Sequence, residues 1–330
     1  MDNYDQLNEI LVYLFDHALD IERNFLIRDT FKDISVNDMH VINAIGLHNE
    51  VNMSSLAKKV GVTVGTLTIA INDKIDPGKL TGKRLALTYM NMNAKSDYLS
   101  DPVVRHAIQM AVDRQAILDS VYGGKGHLEN SIVPEGVLGH NDNATEIVYD
   151  PDGAKKLLED AGYKDGEITF EMGYDSSASA NNQMVCQIIQ QQLAAVGINM
   201  EIKTYDQSSW LATRKAGEMD SFVGTWTMDY NDPANIMLTF FGSVENTVMR
   251  SDNYQDTSVI DRVAAAPSII DDDARYAEYQ ALEEKIIHED YSWVPLFALD
   301  HEFAISDDVE SYTPHWAGYG DFFISGVVMK

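Results

Sequence analysis

The chain has 330 residues, 45% of them hydrophobic, which is enough for two or three domains with sizeable cores. Its formal charge is −28: residues 1–75 hold 6 Lys/Arg against 11 Asp/Glu, and residues 76–330 hold 18 against 41. So acidic a surface repels phosphate backbones and anionic lipid, and it excludes a basic nucleic-acid footprint.

In chain order, Leu7, Ile10, Leu11, Leu14, Ala18 and Ile21 recur at helical spacing and predict one amphipathic helix. Ser35 followed by Asp38 resembles a capping-box start for a second helix carrying Met39, Ile42 and Ile45. Residues 52–68 then read as a short helix, a Gly-containing turn and a second helix opening with small hydroxyl residues, the helix-turn-helix pattern. Ser54, Thr63, Thr66 and Thr68 are its candidate DNA contacts, because the first turn of a recognition helix reaches phosphates and base edges. This stretch resembles the MarR-type winged-helix regulators. The resemblance implies a DNA partner, although the helix after Thr68 meets Asp76-Pro77-Gly78 where that family continues into a basic wing.

A different pattern follows. Residues 83–93 predict a strand. Asp101-Pro102 supplies an N-cap and first-turn proline for a helix with Val104, Ala107, Ile108 and Ala111 inward. Asp113 caps a helix closed by Gly123-Gly124, and Asp150-Pro151 repeats the device ahead of a helix ended by Gly162. Ile168, Phe170 and Met172 alternate as in a strand, residues 180–196 predict a helix with Met184, Ile188, Leu193 and Val196 inward, and Ile198, Met200 and Ile202 alternate again. A helix over 209–215 leads to a strand at 222–225, and Asp271-Asp272-Asp273 opens a long helix over 274–288. Strands alternating with helices predict an α/β fold with a mainly parallel sheet.

Ligands of such sheets bind just beyond the carboxyl ends of the strands. There the chain reads Trp226-Thr227-Met228-Asp229-Tyr230-Asn231-Asp232-Pro233. An aromatic wall beside an anion suits an extended cationic group such as a peptide amino terminus. Asp232, before a proline, reads better as a turn and cap residue.

The runs at 101–114, 149–163, 226–233 and 293–297 together resemble the carboxy-terminal part of the family 5 dipeptide/oligopeptide solute-binding proteins of ABC importers. The resemblance implies a type II periplasmic-binding-protein lobe, a peptide ligand and an ABC-transporter permease as partner. It implies that Asp229 pairs with the peptide amine, that Trp226 packs beside the chain, and that Tyr230 and Asn231 line the cleft. Dipeptide-binding members also place an Arg near the start of the helix beginning around residue 180, where this chain has Asn181-Asn182-Gln183-Met184. That departure points to longer peptides held through their backbone, or to another cationic solute. These members close two lobes on the ligand. One lobe alone would leave a half-site, with exposed edges on the strands near Lys83 and at 294–303.

The expected organisation is therefore a truncated helix-turn-helix head (1–75), a junction (76–82) and one solute-binding lobe (83–330). The expected function is non-catalytic peptide binding. Two alternatives stay open: a regulator with the lobe as its sensor, and a non-functional fusion. No nucleophile elbow, phosphate loop or metal-ligand spacing points to an enzyme, a metal or a cofactor. Cys186 is the single cysteine, so no intrachain disulfide forms. No run approaches the roughly 20 apolar residues of a membrane span. The start, Met1-Asp2-Asn3-Tyr4-Asp5, lacks a signal-peptide pattern, so the expected location is cytoplasmic.

Overall fold

The computed structural model describes residues 80–303, 309–312 and 327–329. The helix-turn-helix head, with Ser54, Thr63, Thr66 and Thr68, lies outside these residues, as does the start of the expected junction. The described residues belong to two compact units, one built on Thr81–Glu302 and one containing a small two-stranded ladder.

Nine strands occur among the described residues: β1 (Leu80–Lys83), β2 (Ala86–Met92), β3 (Gly126–Leu128), β4 (Ile168–Asp175), β5 (Ile198–Tyr205), β6 (Ser221–Thr227), β7 (Trp293–Phe303), β8 (Val309–Tyr312) and β9 (Val327–Met329). The helices are α1 (Pro102–Ala111), α2 (Arg114–Tyr122), α3 (Pro151–Asp160), α4 (Ala180–Ala195), α5 (Gln207–Lys215), α6 (Ala234–Phe241), α7 (Val244–Met249), α8 (Thr257–Ala265) and α9 (Asp272–Glu284). β8 and β9 pair antiparallel with each other.

The main sheet runs β1-β7-β2-β6-β4-β5, with β3 paired to β7. It is mixed, which corrects the mainly parallel expectation. The strand–helix–strand run from β4 to β6 does give parallel pairs, β4 with β5 and β4 with β6. β2, however, is antiparallel to both β6 and β7, and β3 is antiparallel to β7. No short helical crossover links β2 to its neighbours, so nothing in the connection imposes a parallel direction. Part of the 294–303 edge is paired, since β7 lies between β1 and β2 and also meets β3, while β1, which carries Lys83, stands at the end of the sheet.

β2 shows why the core has two halves. All seven of its residues are buried, with Leu87 and Tyr89 in one hydrophobic cluster and Met90 and Met92 in the other. A central strand covered on both faces replaces the alternating apolar pattern with a continuous one. One half is filled by α1 to α4. The other is filled by α6, α8 and α9 around Trp293, which stacks on Tyr89 with ring centroids 4.0 Å apart and meets Phe240 edge-on at 4.8 Å.

The helix starts follow the cap residues. Asp101 accepts from the Val103 N–H at 2.8 Å, Asp113 from Ala116 at 2.9 Å, Asp150 from Gly153 at 2.8 Å and Asp271 from Ala274 at 2.8 Å. Gly123 ends α2 in the left-handed region, at φ 64°. α9 continues into a π turn at Lys285–Glu289, close to the expected end at 288. Leu193 and Val196 of the expected inward set are buried, whereas the first half of the α4 face is shifted by one position. Val185, Cys186, Ile189 and Leu193 are buried, whereas Met184 is 42% exposed and Ile188 half-buried.

Candidate functional site

Residues 226–232 leave the end of β6 and enter α6. The Trp226 indole N–H donates to Asn235 Oδ1 at 2.8 Å, and Asn235 Nδ2 donates to Asp229 Oδ2 at 3.4 Å. Asn235 is itself buried on the first turn of α6, so it fixes a tryptophan and a carboxylate relative to each other. Asp229 is exposed, and Tyr230 is 48% exposed. Partial burial, then the carboxylates of Asp232 and Asp229, push the Tyr230 phenol upward, so at neutral pH its hydroxyl is protonated and can donate. Asn231 faces the neighbouring loop instead, where its Oδ1 accepts from the Leu138 N–H at 2.8 Å and ties the 129–150 segment to this turn. Asp232 caps α6 through the Ala234 N–H at 2.9 Å and pairs with Arg275 at 2.7 Å, the structural role expected of it.

The floor beside Trp226 is aromatic. Gly224 sits opposite Tyr89 in the β2–β6 register, and a Cβ there would lie 3.0 Å from both the Tyr89 hydroxyl and the Phe222 ring. The missing side chain lets the Tyr89 hydroxyl and the Phe222 ring close over this point of the sheet. Two arginines border this floor. The Arg250 guanidinium lies 5.2 Å from the Trp226 ring centroid and 4.9 Å from Phe240; the Arg214 guanidinium lies 5.1 Å from Trp210. Beneath them Asp252 is buried and accepts from the Trp293 indole at 2.7 Å; burial pushes its carboxyl up to about 7. Neither arginine, nor Trp210, nor Asn235 stood out in the sequence. The Trp210/Arg214 pair, four apart on one helix, was the available signal.

A separate cavity of about 370 Å³ involves Asn93, Ser96, Glu218 and Asp220, at the opposite end of β6 from Trp226. Its Asp220 is already engaged by the Ser96 hydroxyl at 2.5 Å and the Glu171 N–H at 3.0 Å. Among the described residues no cluster of three His, Cys, Asp or Glu side chains is arranged to hold a metal, and no helix is long and apolar enough to cross a membrane.

Residues 45–247 match the profile of the bacterial extracellular solute-binding proteins, family 5. The chain belongs to this family. The match crosses the junction expected at 76–82 and takes in Ser54, Thr63, Thr66 and Thr68, so these positions fall within a solute-binding match. Family 5 members are non-catalytic binding proteins. Among curated relatives, the chain is 31% identical over 208 residues to di/tripeptide-binding protein 2 of Pseudomonas aeruginosa, covering 62% of this chain and 39% of that protein. It is 33% identical over 159 residues to the dipeptide-binding protein of Escherichia coli, covering 48% and 30%. It is 27% identical over 248 residues to haem-binding protein A of Haemophilus influenzae, covering 74% and 45%. The chain thus spans less than half the length of these family 5 relatives. Among solved structures, the peptide-bound periplasmic binding protein DppA of Helicobacter pylori superposes with a TM-score of 0.67 at 25% identity, over 78% of this chain and 49% of that one. HbpA2 of Haemophilus parasuis superposes with a TM-score of 0.70 at 23% identity, over 88% and 55%, and shows the same fold.

Proposed function

We propose that the chain binds peptides without catalysis, as part of the substrate-binding component of an ABC importer, and that Trp226 and Asp229 hold the ligand's amino end. The observation that carries this is the Trp226–Asn235–Asp229 chain of hydrogen bonds at the carboxyl end of β6. An anion held beside an aromatic face, at a strand end, offers an ammonium group both charge and a flat wall. Tyr230 adds a donor at the rim. Asn231, committed to Leu138, shapes the wall rather than touching the ligand.

Relatives named for dipeptide and di/tripeptide binding support a short peptide as the ligand, and the relative named for haem binding keeps other solutes in play. The family is described as extracellular, so the cytoplasmic placement read from the amino terminus finds no counterpart there. None of the relatives named above supports the regulator or DNA-partner alternatives.

The test is calorimetric titration and thermal shift with a panel of di- to pentapeptides. The melting temperature should rise with at least one peptide. Asp229→Ala should weaken binding tenfold or more, about 1.4 kcal/mol or greater, and N-acetylation of the peptide should do the same. A peptide bound equally well with its amine blocked would remove Asp229 from the site. No response to any peptide would remove the function.

A further inference from the structure

Asp252 is held beneath the aromatic wall of the site by an uncommon piece of backbone. Its two neighbours, Ser251 and Asn253, both take left-handed conformations, at φ 56° and 45°. Residues other than glycine keep such conformations only where their surroundings over-determine them, and they concentrate at functional positions. Here the constraints are explicit. Asn91 Nδ2 donates to the Ser251 carbonyl at 3.0 Å, and the Ser251 hydroxyl to the Arg214 carbonyl at 2.8 Å. Asn253 Nδ2 donates to Asn93 Oδ1 and to the Gly217 carbonyl, each at 2.9 Å. Between these two residues the Asp252 carboxyl is buried.

A buried carboxylate is costly unless cations compensate it. Asp252 Oδ1 accepts from the Trp293 indole at 2.7 Å, while among the described residues Oδ2 accepts no hydrogen bond. Burial pushes the carboxyl up to about 7, and the charges of Arg250 and Arg214 oppose that rise. Asn91 lies alongside, and the Tyr89 phenol of β2, which burial keeps protonated, also faces it. The same two arginines lie on the wall. Arg250, directly after α7, is 5.2 Å from the Trp226 ring centroid and 4.9 Å from Phe240. Arg214, on α5, is 5.1 Å from Trp210 and 5.9 Å from Phe222. Burial, and then the charge of Arg250, lowers the Arg214 guanidinium, so the pair repels itself and Asp252 is placed to balance it.

We propose that Asp252 is a positioning residue of the peptide site, whose ionised form holds Arg250 against Trp226 and so sets the wall beside the ligand's amino end. This rests on the peptide-binding function proposed above and couples it to a proton. Ionised, the carboxylate balances the arginine pair and keeps Arg250 seated on Trp226 and Phe240. Protonated, it leaves two cations against each other. Arg250, half-buried, then turns toward solvent, Trp226 loses its backing, and uncompensated positive charge faces the incoming ammonium. Both effects weaken binding as pH falls through the titration of Asp252, and peptide binding near neutrality expels a proton.

The experiment uses the full chain between pH 5.5 and pH 7.5, followed by tryptophan fluorescence and by calorimetric titration with Ala-Phe amide, an amine without a carboxylate. Without ligand, the fluorescence of the unaltered protein should change across this range. Asp252→Asn, which keeps an acceptor for the Trp293 indole, should abolish the change, and Trp226→Phe should remove most of it. Arg250→Gln should move the midpoint up by about half a pH unit or more, because a cation that favours the carboxylate is gone. Affinity for the amide should fall about threefold or more from pH 7.5 to pH 5.5. It should be independent of pH in Asp252→Asn and regain its slope in Asp252→Glu. A constant fluorescence in the unaltered protein overturns the proposal. Survival of the whole change in Trp226→Phe overturns it too, by giving Asp252 a structural role under Trp293 alone. So does an unmoved midpoint in Arg250→Gln, a test that stands even if Asp252→Asn does not fold, or an undiminished slope of affinity in Asp252→Asn. If neither the amide nor free Ala-Phe binds at any pH, the peptide function falls, and the fluorescence midpoints decide the link from Asp252 to Trp226.

Discussion

Two buried carboxyls set a pH dependence that exposed charges do not. Glu283 accepts from the N–H groups of Ile132 and Val133 at 3.0 and 2.9 Å, and burial pushes its carboxyl up to about 8; burial likewise pushes Asp252 up to about 7. An unfolded Glu loses its proton near 4.5 and an unfolded Asp near 3.8. Between those values and 8 or 7, the folded state binds more protons than the unfolded one. Stability therefore falls as pH rises through that window, by up to about 1.4 kcal/mol per pH unit for each group. Glu283→Gln keeps an acceptor for both N–H groups and removes one contribution. Urea unfolding at pH 5 and pH 8 should show a smaller loss in this variant than in the unaltered protein, and equal losses would refute the assignment.

Helices were legible in the sequence wherever a side chain dictated the backbone. Asp101-Pro102, Asp113, Asp150-Pro151 and Asp271 each cap the helix expected of them, because a carboxylate accepting an N–H is a local event. What required distant partners was not legible. On α4 the apolar pairs Met184/Val185 and Ile188/Ile189 offer two adjacent faces, and only packing against β5 and its neighbours selects Val185 and Ile189. The mixed sheet was hidden for the same reason, since a strand's direction is set by the path of its connections. The Trp226–Asp229 turn was readable as a unit, whereas Arg214 and Arg250 come from separate elements that meet only in space. The α4 face is open to measurement. Ile189→Ala should cost about 2–5 kcal/mol, and Met184→Ala should stay within about 0.5 kcal/mol, both by urea denaturation. Similar costs for the two would place the inward face where the sequence first suggested.

The sole cysteine makes folding of the Thr81–Glu302 unit observable in one reaction. Cys186 is 1% exposed on α4, and burial pushes its thiol up to about 12, so both access and thiolate are denied in the native state. Iodoacetamide should leave the native protein unlabelled at pH 8 and label it fully in urea, with a midpoint matching loss of helical circular dichroism. Labelling well before that midpoint would show that α4 opens independently of the rest.

The central place of β2 has a consequence for synthesis. Its partners β6 and β7 lie far along the chain, Thr88 meeting Thr225 across 137 positions. At roughly 5–20 residues per second, a ribosome needs some 10–40 s after completing β2 before the last flanking strand emerges. Until β6 emerges both edges of Ala-Leu-Thr-Tyr-Met-Asn-Met stay unpaired, and until β7 emerges one of them does, so the nascent polypeptide presents an open strand edge that a chaperone can shield.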